Sequence, residues 1–165
     1  MIVRLSKILL LATIALWIAL VAFGNLTDYG SNWPFVQHVL AMDSIFPNST
    51  ITWRAITNPA LQHFGYATII TAEVLTAILC WIGVAALVRK LRASAVSFNR
   101  AKTSAIAGLT LGFLLWQVGF MTIGGEWFGM WQSQHWNGVP SAFRFVMVIA
   151  AVMIFVAMRD DERAG

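Results

Sequence analysis

Four long apolar runs restrict the fold of this chain more than any other feature of its sequence. They occupy about residues 8–24, 64–88, 105–124 and 139–158, and each approaches the roughly 20 apolar residues needed to cross a bilayer. Charged residues make up only 11% of the 165 positions, against about 25% in soluble domains. A water-soluble fold of this length cannot bury so much apolar surface, so the sequence predicts helices that lie in lipid.

These runs predict an all-α fold, a four-helix transmembrane bundle that forms a single integral membrane domain over residues 1–165. All prolines lie outside the runs except Pro140, which falls in the first turn of the last one, where a missing N–H is tolerated. In the segment 25–63, apolar residues recur at helical spacing from Pro34 and predict a short interfacial helix. A second short helix is expected at 53–57.

The first run has a second interpretation. Arg4 and Lys7 precede it and small residues end it near Gly24, which is also typical of a signal peptide cleaved before Asn25. The run is as long as the longest apolar regions of such peptides, about 15 residues, so a retained span is the favoured interpretation.

The positions of Lys and Arg predict how the chain is oriented, because positive charges concentrate in short cytoplasmic segments. Nine of the eleven fall near the termini or between the second and third runs: Arg4, Lys7, Arg89, Lys90, Arg92, Arg100, Lys102, Arg159 and Arg163. Only Arg54 and Arg144 fall elsewhere. We therefore expect both termini and residues 89–104 in the cytoplasm, and the segments 25–63 and 125–138 on the outer side. The rule gives little weight to the acidic residues Asp160, Asp161 and Glu162.

Several function classes find no support in the sequence. The single cysteine, Cys80, cannot form an intrachain disulfide. The net charge of +4 does not indicate a nucleic-acid partner, because the positions of the basic residues are explained by membrane orientation. The sequence contains no phosphate-binding glycine loop, nucleophile elbow, Ser/His/Asp order or paired-carboxylate spacing. We therefore predict no catalytic residue and no metal ligand, and expect a protein that is not an enzyme.

Two charged residues and one carboxamide fall within the apolar runs, where lipid cannot solvate them. Glu73 is the clearest case, and Arg144 follows Pro140 by one helical turn in the fourth run. We expect Arg144 to pair with Glu73, with Glu126 as its alternative partner. The Glu73 pair is interpreted as a structural ion pair. The alternatives are a proton or ion site and a contact with another protein. Gln117, halfway along the third run, predicts an interhelical hydrogen bond.

Small and polar residues predict how the helices pack. Gly108 and Gly112 form a GxxxG pair that lets another helix approach closely, and a neighbour in the same chain is favoured over one in a second chain. On the second run, residues at helical spacing form one polar stripe that should face other helices: Tyr66, Glu73, Thr76 or Ala77, and Cys80.

All three histidines, His38, His63 and His135, fall on the expected outer side. A metal or haem site with methionine ligands is one interpretation of this distribution. No HxxxH, HxxE or CxxCH unit is present, so interfacial hydrogen bonding is the favoured role. We predict no cofactor, and keep haem or quinone binding as an alternative.

An ordered series of strings runs through the chain from about Lys7 to Met158. It comprises Asn25, Asp28, FVQHVLAMD at 35–43, WRAI at 53–56, Glu73, GEWFGMWQS at 125–133 and WNG at 136–138. In the order of these strings, and in the rare EWFxMWQS part, the chain resembles a bacterial family of predicted small integral membrane proteins of unknown function. The resemblance implies four retained spans in a bacterial inner membrane, and it carries over no catalytic residue.

Polar and aromatic residues of these strings alternate on the outer side and predict an ordered outer cap. The outer cap comprises His38, Asp43, Arg54, Glu126, Trp127, Met130, Trp131, Gln132, Trp136 and Asn137. We expect an ion pair of Asp43 with Arg54, or of Glu126 with Arg144, to join the two outer segments, because pairs at headgroup depth are weakly screened by water.

Taken together, these features predict a small inner-membrane protein that acts as a non-catalytic accessory or assembly subunit of a larger membrane complex. Its expected partners are the lipid bilayer and either other membrane subunits or further copies of the same chain. Two alternatives are kept. One is a redox-linked subunit that binds quinone or haem between Glu73, His63 and the outer tryptophans, and the other is a proton or ion path through Glu73.

Overall fold

In the computed structural model, which describes residues 1–161, every regular element is a helix. The elements are α1 (Ile2–Thr27), α2 (Tyr29–Ala41), α3 (Pro59–Arg89), α4 (Ala95–Arg100), α5 (Thr103–Leu114), a π-helix (Leu115–Trp127) and α6 (Val139–Ala157), with short 3₁₀ turns at Thr52–Arg54 and Met130–Gln132. Four stretches are long and apolar enough to cross a membrane: α1, α3, Ala95–Trp127 and α6. The predicted all-α fold with four spans is confirmed. Glu162 and Arg163, which entered the charge analysis, lie outside the described residues.

The four spans form a ring in which each packs against two others. α1 contacts α3 and α6, and α5 with its π-helical continuation also contacts α3 and α6. The centre is filled by fully buried aliphatic side chains such as Leu11, Leu109 and Ile149. The outward faces are also apolar, with Leu20 60% and Ile154 64% exposed. Apolar residues on both the inside and the outside of a bundle indicate that lipid surrounds it.

The predicted interfacial helix is present as α2, but its predicted start was wrong. α2 begins at Tyr29, because α1 ends at Thr27 and only Asp28 separates the two helices. Pro34 therefore lies inside α2, where it removes one backbone hydrogen bond from the helix. The second predicted helix is reduced to the 3₁₀ turn Thr52–Arg54.

The third span changes helix type along its length. From Leu115 onward it is a π-helix, in which each N–H reaches the carbonyl five residues earlier. Trp116 and Phe120 of this helix line one cavity, and the Thr122 hydroxyl donates to the Gln117 carbonyl, five residues earlier, at 3.0 Å. π-helical turns are frequent at functional sites, and this one lies in the half of the bundle that carries the outer cap.

Glycines bring α3 and α5 into close contact. A Cβ atom added at Gly108 would lie 2.8 Å from the backbone nitrogen of Cys80, and one at Gly112 would lie 3.0 Å from the Thr76 methyl group. The GxxxG pair therefore packs on α3 of the same chain, which was the favoured interpretation.

Three cations surround one carboxylate at the end of the bundle opposite the outer cap. Lys7 Nζ and Lys102 Nζ lie 2.8 and 2.6 Å from Asp160 Oδ2, and Arg4 Nε lies 3.9 Å from Asp160 Oδ1. None of the four side chains is more than 5% exposed. We call these four residues the C-terminal clasp, because they tie Asp160, which lies beyond the end of α6, to the first turns of α1 and to the start of α5.

Asn99 forms further hydrogen bonds with two residues of the C-terminal clasp. Its Oδ1 accepts from the Asp160 backbone N–H at 3.0 Å and from Lys102 Nζ at 2.7 Å, and its Nδ2 donates to the Asp160 carbonyl at 2.9 Å. Both lysines also donate to the Met158 carbonyl at 2.6 Å. Asp160, which has little weight in the orientation rule, is thus buried and joins three segments of the chain.

The C-terminal clasp should make stability depend on pH at the acid end. Burial by itself would raise the pKa of Asp160, but the hydrogen bonds and charges of Lys102 and Lys7 outweigh burial and hold it below its usual 3.8. A carboxyl whose pKa is lowered by folding stabilises the fold above about pH 4 and loses that contribution as the pH falls through the folded-state value. Asp160→Asn should therefore lower the free energy of unfolding by about 3 kcal/mol at neutral pH, because buried cations lose their counter-charge.

Thermal unfolding in mild detergent, followed from neutral pH down to about pH 3, measures this effect. The native chain should lose stability at the acid end, where the deficit of Asp160→Asn should shrink. Asp161→Asn is the matched control, since it removes the neighbouring carboxylate, which is exposed. Equal stability of the two variants at neutral pH would contradict the role assigned to the C-terminal clasp.

Candidate functional site

Glu73 lies near the middle of α3 and is only 2% exposed. The buried face of α3 also carries Tyr66, Thr76, Ala77 and Cys80, so the predicted polar stripe does face the interior of the bundle. The side chain is thereby removed from both lipid and bulk water, and its hydrogen-bond partners must come from the protein or from a bound molecule.

Asn25 in the last turn of α1 is the partner of Glu73. Its Nδ2 donates to Glu73 Oε2 at 2.8 Å. Its Oδ1 accepts from the Tyr66 hydroxyl at 3.1 Å and from Asn32 Nδ2 at 2.8 Å. One carboxamide, which is 6% exposed, therefore connects α1, α2 and α3 through a single buried network.

The predicted pairing of Arg144 with Glu73 was wrong. Arg144 is exposed, and its Nε donates to the Pro140 carbonyl of its own helix at 3.4 Å. The face of α6 that meets the bundle carries Ala142 and Val146. Arg144 lies between them in sequence and therefore points away, because successive helical residues are rotated by roughly 100°. The position of Arg144 along the fourth span follows from the sequence, whereas the rotation of α6 does not.

A cavity of about 360 Å³ borders Glu73, and we call it the polar cavity. Its polar lining comes from both sides of the bundle: Asn25, Asn32, Tyr66, Glu73, His135, Asn137 and Ser141. Aromatic rings form much of the remaining wall: Phe35, Trp116, Phe120 and Phe145. Glu73 thus faces a space that is large enough for a small molecule and carries both hydrogen-bonding and aromatic groups.

A second cavity of about 360 Å³, which we call the apolar cavity, adjoins the first. Phe35, Val36, Ile69 and Phe120 line both of them. The rest of the lining is apolar apart from the Thr68 hydroxyl, which donates to the carbonyl of Phe64 in its own helix. The two cavities together form one region with a polar end and an apolar end.

The two predicted outer segments contact one another above these cavities. The Phe46 N–H donates to Gln132 Oε1 at 3.2 Å, and the Ser44 hydroxyl donates to that of Ser133 at 2.9 Å. Met130 is 2% exposed in a cluster with Val39, Met42 and Phe128. Ring contacts join the segments further: Trp136 stacks on His38 with centroids 4.5 Å apart, and Trp131 meets Phe46 edge-on at 5.7 Å. Asn137 Nδ2 donates to the Trp131 carbonyl at 3.4 Å.

The ion pairs predicted between the outer segments were wrong. Asp43 pairs with His38 at 2.8 Å, because a left-handed residue at Met42, with φ of 54°, turns the chain back over the end of α2. Arg54 instead donates to the Trp127 carbonyl at 3.2 Å and lies 4.5 Å from the Trp127 ring centroid. Glu126 is exposed and forms no ion pair with Arg144. Carbonyls, amides and rings therefore join the outer segments in place of paired charges.

The histidines lie apart from one another. His63 Nδ1 is 2.7 Å from the Tyr29 hydroxyl, and its ring stacks on Trp33 with centroids 3.8 Å apart. Burial raises the pKa of the Tyr29 hydroxyl above 10.0, so this group is neutral at physiological pH. His63 does not line the polar cavity, so Glu73, His63 and the outer tryptophans do not form the single site that was considered for quinone or haem. Within residues 1–161, no group of three His, Cys, Asp or Glu is placed to hold a metal ion.

Two other features of the region differ from expectation. The side chain of half-buried Gln117 makes no hydrogen bond to any residue in 1–161, so its predicted interhelical bond was wrong. Asn25 was not predicted as a partner of Glu73. The signal that would have found it is a carboxamide directly after an apolar run, where the carboxylate of a neighbouring helix needs a donor.

Comparison with known proteins gives one match. A sequence-family profile described as "Predicted small integral membrane protein (DUF2165)" matches residues 3–159. No curated protein and no solved structure matches the chain.

Removing the donor to Glu73 should destabilise the bundle. Asn25→Leu keeps a side chain of similar size but leaves Glu73, Tyr66 and Asn32 without their common partner. We expect a loss of about 1–3 kcal/mol in the free energy of unfolding, as for other buried polar groups left unsatisfied. Thermal unfolding in mild detergent measures it. Asn48→Leu makes the same chemical change at an exposed loop position and should be nearly neutral. An Asn25→Leu variant as stable as Asn48→Leu would show that the buried network does not hold the helices.

Proposed function

This chain belongs to the DUF2165 family of predicted small integral membrane proteins, and from that premise we propose that it is a non-catalytic accessory or assembly subunit of a larger complex. We further propose that it resides in the bacterial inner membrane with both termini in the cytoplasm. One observation carries the first proposal: an apolar groove on the outward face of the bundle that is lined by both small and large side chains.

The groove lies between α1 and α3 and measures about 410 Å³. Alanines form its floor and larger apolar side chains form its rims: Ala19, Ala22, Phe23, Leu26, Val74, Ala77, Ile78, Trp81 and Ile82. Phe23 at the rim is 63% exposed, whereas Ala22 and Ala77 are 4% and 6% exposed. Small residues on a membrane helix allow another helix backbone to approach closely, whereas acyl chains need no such approach. A helix of a partner subunit is therefore the occupant that we propose.

Polar contacts at both ends hold the walls of the groove in place. Arg4 donates to the Ala93 carbonyl beyond the end of α3 at 2.7 Å, and Asn25 donates to Glu73 at 2.8 Å near the opposite end of α1. A binding surface that is already ordered loses little conformational entropy on association. This rigidity supports a scaffold or assembly role.

The charge distribution supports the proposed orientation. Lys7 of α1, Lys102 at the start of α5 and Asp160 beyond α6 meet in the C-terminal clasp, so the basic segments of the described chain gather at one end of the bundle. Such an end faces the cytoplasm in most membrane proteins.

A proton or ion path through Glu73 is the weaker candidate. The polar groups bonded around Glu73, namely Asn25, Asn32 and Tyr66, all lie toward the outer cap. In the opposite direction α3 continues with Thr76, whose hydroxyl donates to the Ala72 carbonyl of its own helix. The contacts of Glu73 therefore favour a pocket that opens on one side.

Cysteine labelling tests the orientation. Thr50→Cys lies in the outer cap region and Val96→Cys in α4, and both positions are exposed, whereas the native Cys80 is fully buried. A membrane-impermeant maleimide should label Thr50→Cys in intact cells and label Val96→Cys only after the cells are broken. Labelling of Val96→Cys in intact cells would reverse the proposed topology.

Filling the groove tests the accessory role. Ala19→Leu places a larger side chain on the groove floor, while Ala151→Leu makes the same change on the exposed face of α6. Native protein purified in mild detergent should carry a membrane partner at fixed stoichiometry by quantitative mass spectrometry. Ala19→Leu should lose about tenfold or more of that partner, since close helix packing is sensitive to added volume. Ala151→Leu should retain it.

Two outcomes would contradict the accessory role. One is native protein that purifies alone or only with copies of itself. The other is a partner that is retained equally by Ala19→Leu and Ala151→Leu, which would place the contact outside the groove.

A further inference from the structure

Glu73 has no counter-charge from the part of the chain that the structure describes. Oε2 accepts from Asn25, a neutral amide, and no group of residues 1–161 hydrogen-bonds to Oε1, although Glu73 lines the polar cavity. Arg144, the nearest cation by sequence expectation, points away from the bundle. A cation placed beside a buried carboxylate stabilises its charge, so the cavity is suited to a cation.

The walls of the polar cavity suit an organic cation better than a metal ion. Trp116, Phe120 and Phe145 line it together with Phe35, and Trp116 and Phe145 meet edge-on with centroids 5.2 Å apart. Aromatic faces attract ammonium groups through the ring quadrupole, and this attraction strengthens where water is excluded. A bare divalent ion would need several oxygen ligands around it, whereas Glu73 supplies the only carboxylate among the residues that line the cavity.

The adjoining apolar cavity suits the hydrocarbon part of such a cation. It shares Phe35 and Phe120 with the polar cavity, and it reaches the lipid-facing surface at Phe64 and Ile123, which are 71% and 46% exposed. A molecule that enters from the acyl chains can therefore leave its hydrocarbon part in the apolar cavity while its head reaches Glu73.

We propose that the two cavities form one binding site for an amphipathic organic cation, with an ammonium head beside Glu73 and a hydrocarbon tail in the apolar cavity. Asn25 orients the carboxylate from the protein side, so Glu73 Oε1 is presented to the head. This site goes beyond the accessory role and lies on a different part of the bundle from the groove between α1 and α3.

Titration calorimetry on the full chain in dodecyl maltoside micelles, which contain no ammonium group, tests the site, with empty micelles subtracted. The probe is dodecyltrimethylammonium, and dodecanol is the uncharged reference with the same tail. Glu73→Gln should weaken binding of the cation about tenfold or more, because it removes the charge partner of the ammonium head. It should leave dodecanol binding unchanged. Glu126→Gln is the matched control, since it removes an exposed carboxylate that does not line either cavity, and it should bind the cation as the native chain does.

A second variant keeps the test decisive if Glu73→Gln fails to fold. Ser141 is exposed at the α6 wall of the polar cavity and does not touch the bond between Asn25 and Glu73. Ser141→Phe should obstruct the cavity and weaken binding of the cation, while Ser141→Ala keeps the cavity open and should bind as the native chain does.

Three results would overturn the proposal. The first is native affinity for the cation in both Glu73→Gln and Ser141→Phe. The second is equal binding of dodecyltrimethylammonium and dodecanol by the native chain. The third is tighter binding of a neutral short-chain quinone in Glu73→Gln than in the native chain, which would assign the cavities to an uncharged ring. None of these depends on whether a partner helix occupies the groove.

Discussion

Lipid offers no hydrogen bonds to a polar side chain, and the internal arrangement of this protein follows from that constraint. Glu73 accepts a hydrogen bond from Asn25, and Asp160 pairs with Lys7 and Lys102. Each contact joins segments that are far apart in sequence. These contacts therefore also tie α1 to α3, and the segment beyond α6 to α1 and α5, while aliphatic side chains and glycines pack the rest of the interior.

The same constraint separates two kinds of surface on the bundle. The groove between α1 and α3 is wholly apolar and has a floor of small residues, which suits another helix. The cavities between α1, α2, α3, the π-helix and α6 combine a buried carboxylate with aromatic walls, which suits a small amphipathic molecule. The groove and the cavities both involve α1 and α3, but they share no lining residue.

The pairs expected from charge alone failed for a common reason. Arg144 was matched with Glu73 because both are charged residues within the apolar runs, and Arg54 with Asp43 because both are charged residues on the expected outer side. Depth follows from sequence position, but the direction of a side chain follows from helix rotation and from what lies next to it. α6 turns Arg144 outward, and the turn at Met42 brings Asp43 back to His38 before Arg54 can reach it.

The sequence by itself determined the four spans, the family, the burial of the α3 face that carries Glu73, and the close packing of Gly108 and Gly112. These properties depend on hydrophobic run length and on helical period, which are local. Only the tertiary structure decided that Asn25 is the partner of Glu73, that Asp160 is buried among cations, and that two cavities adjoin the carboxylate. Those properties depend on how each helix is rotated and shifted against its neighbours, and that is set by the packing of the whole bundle rather than by any one segment.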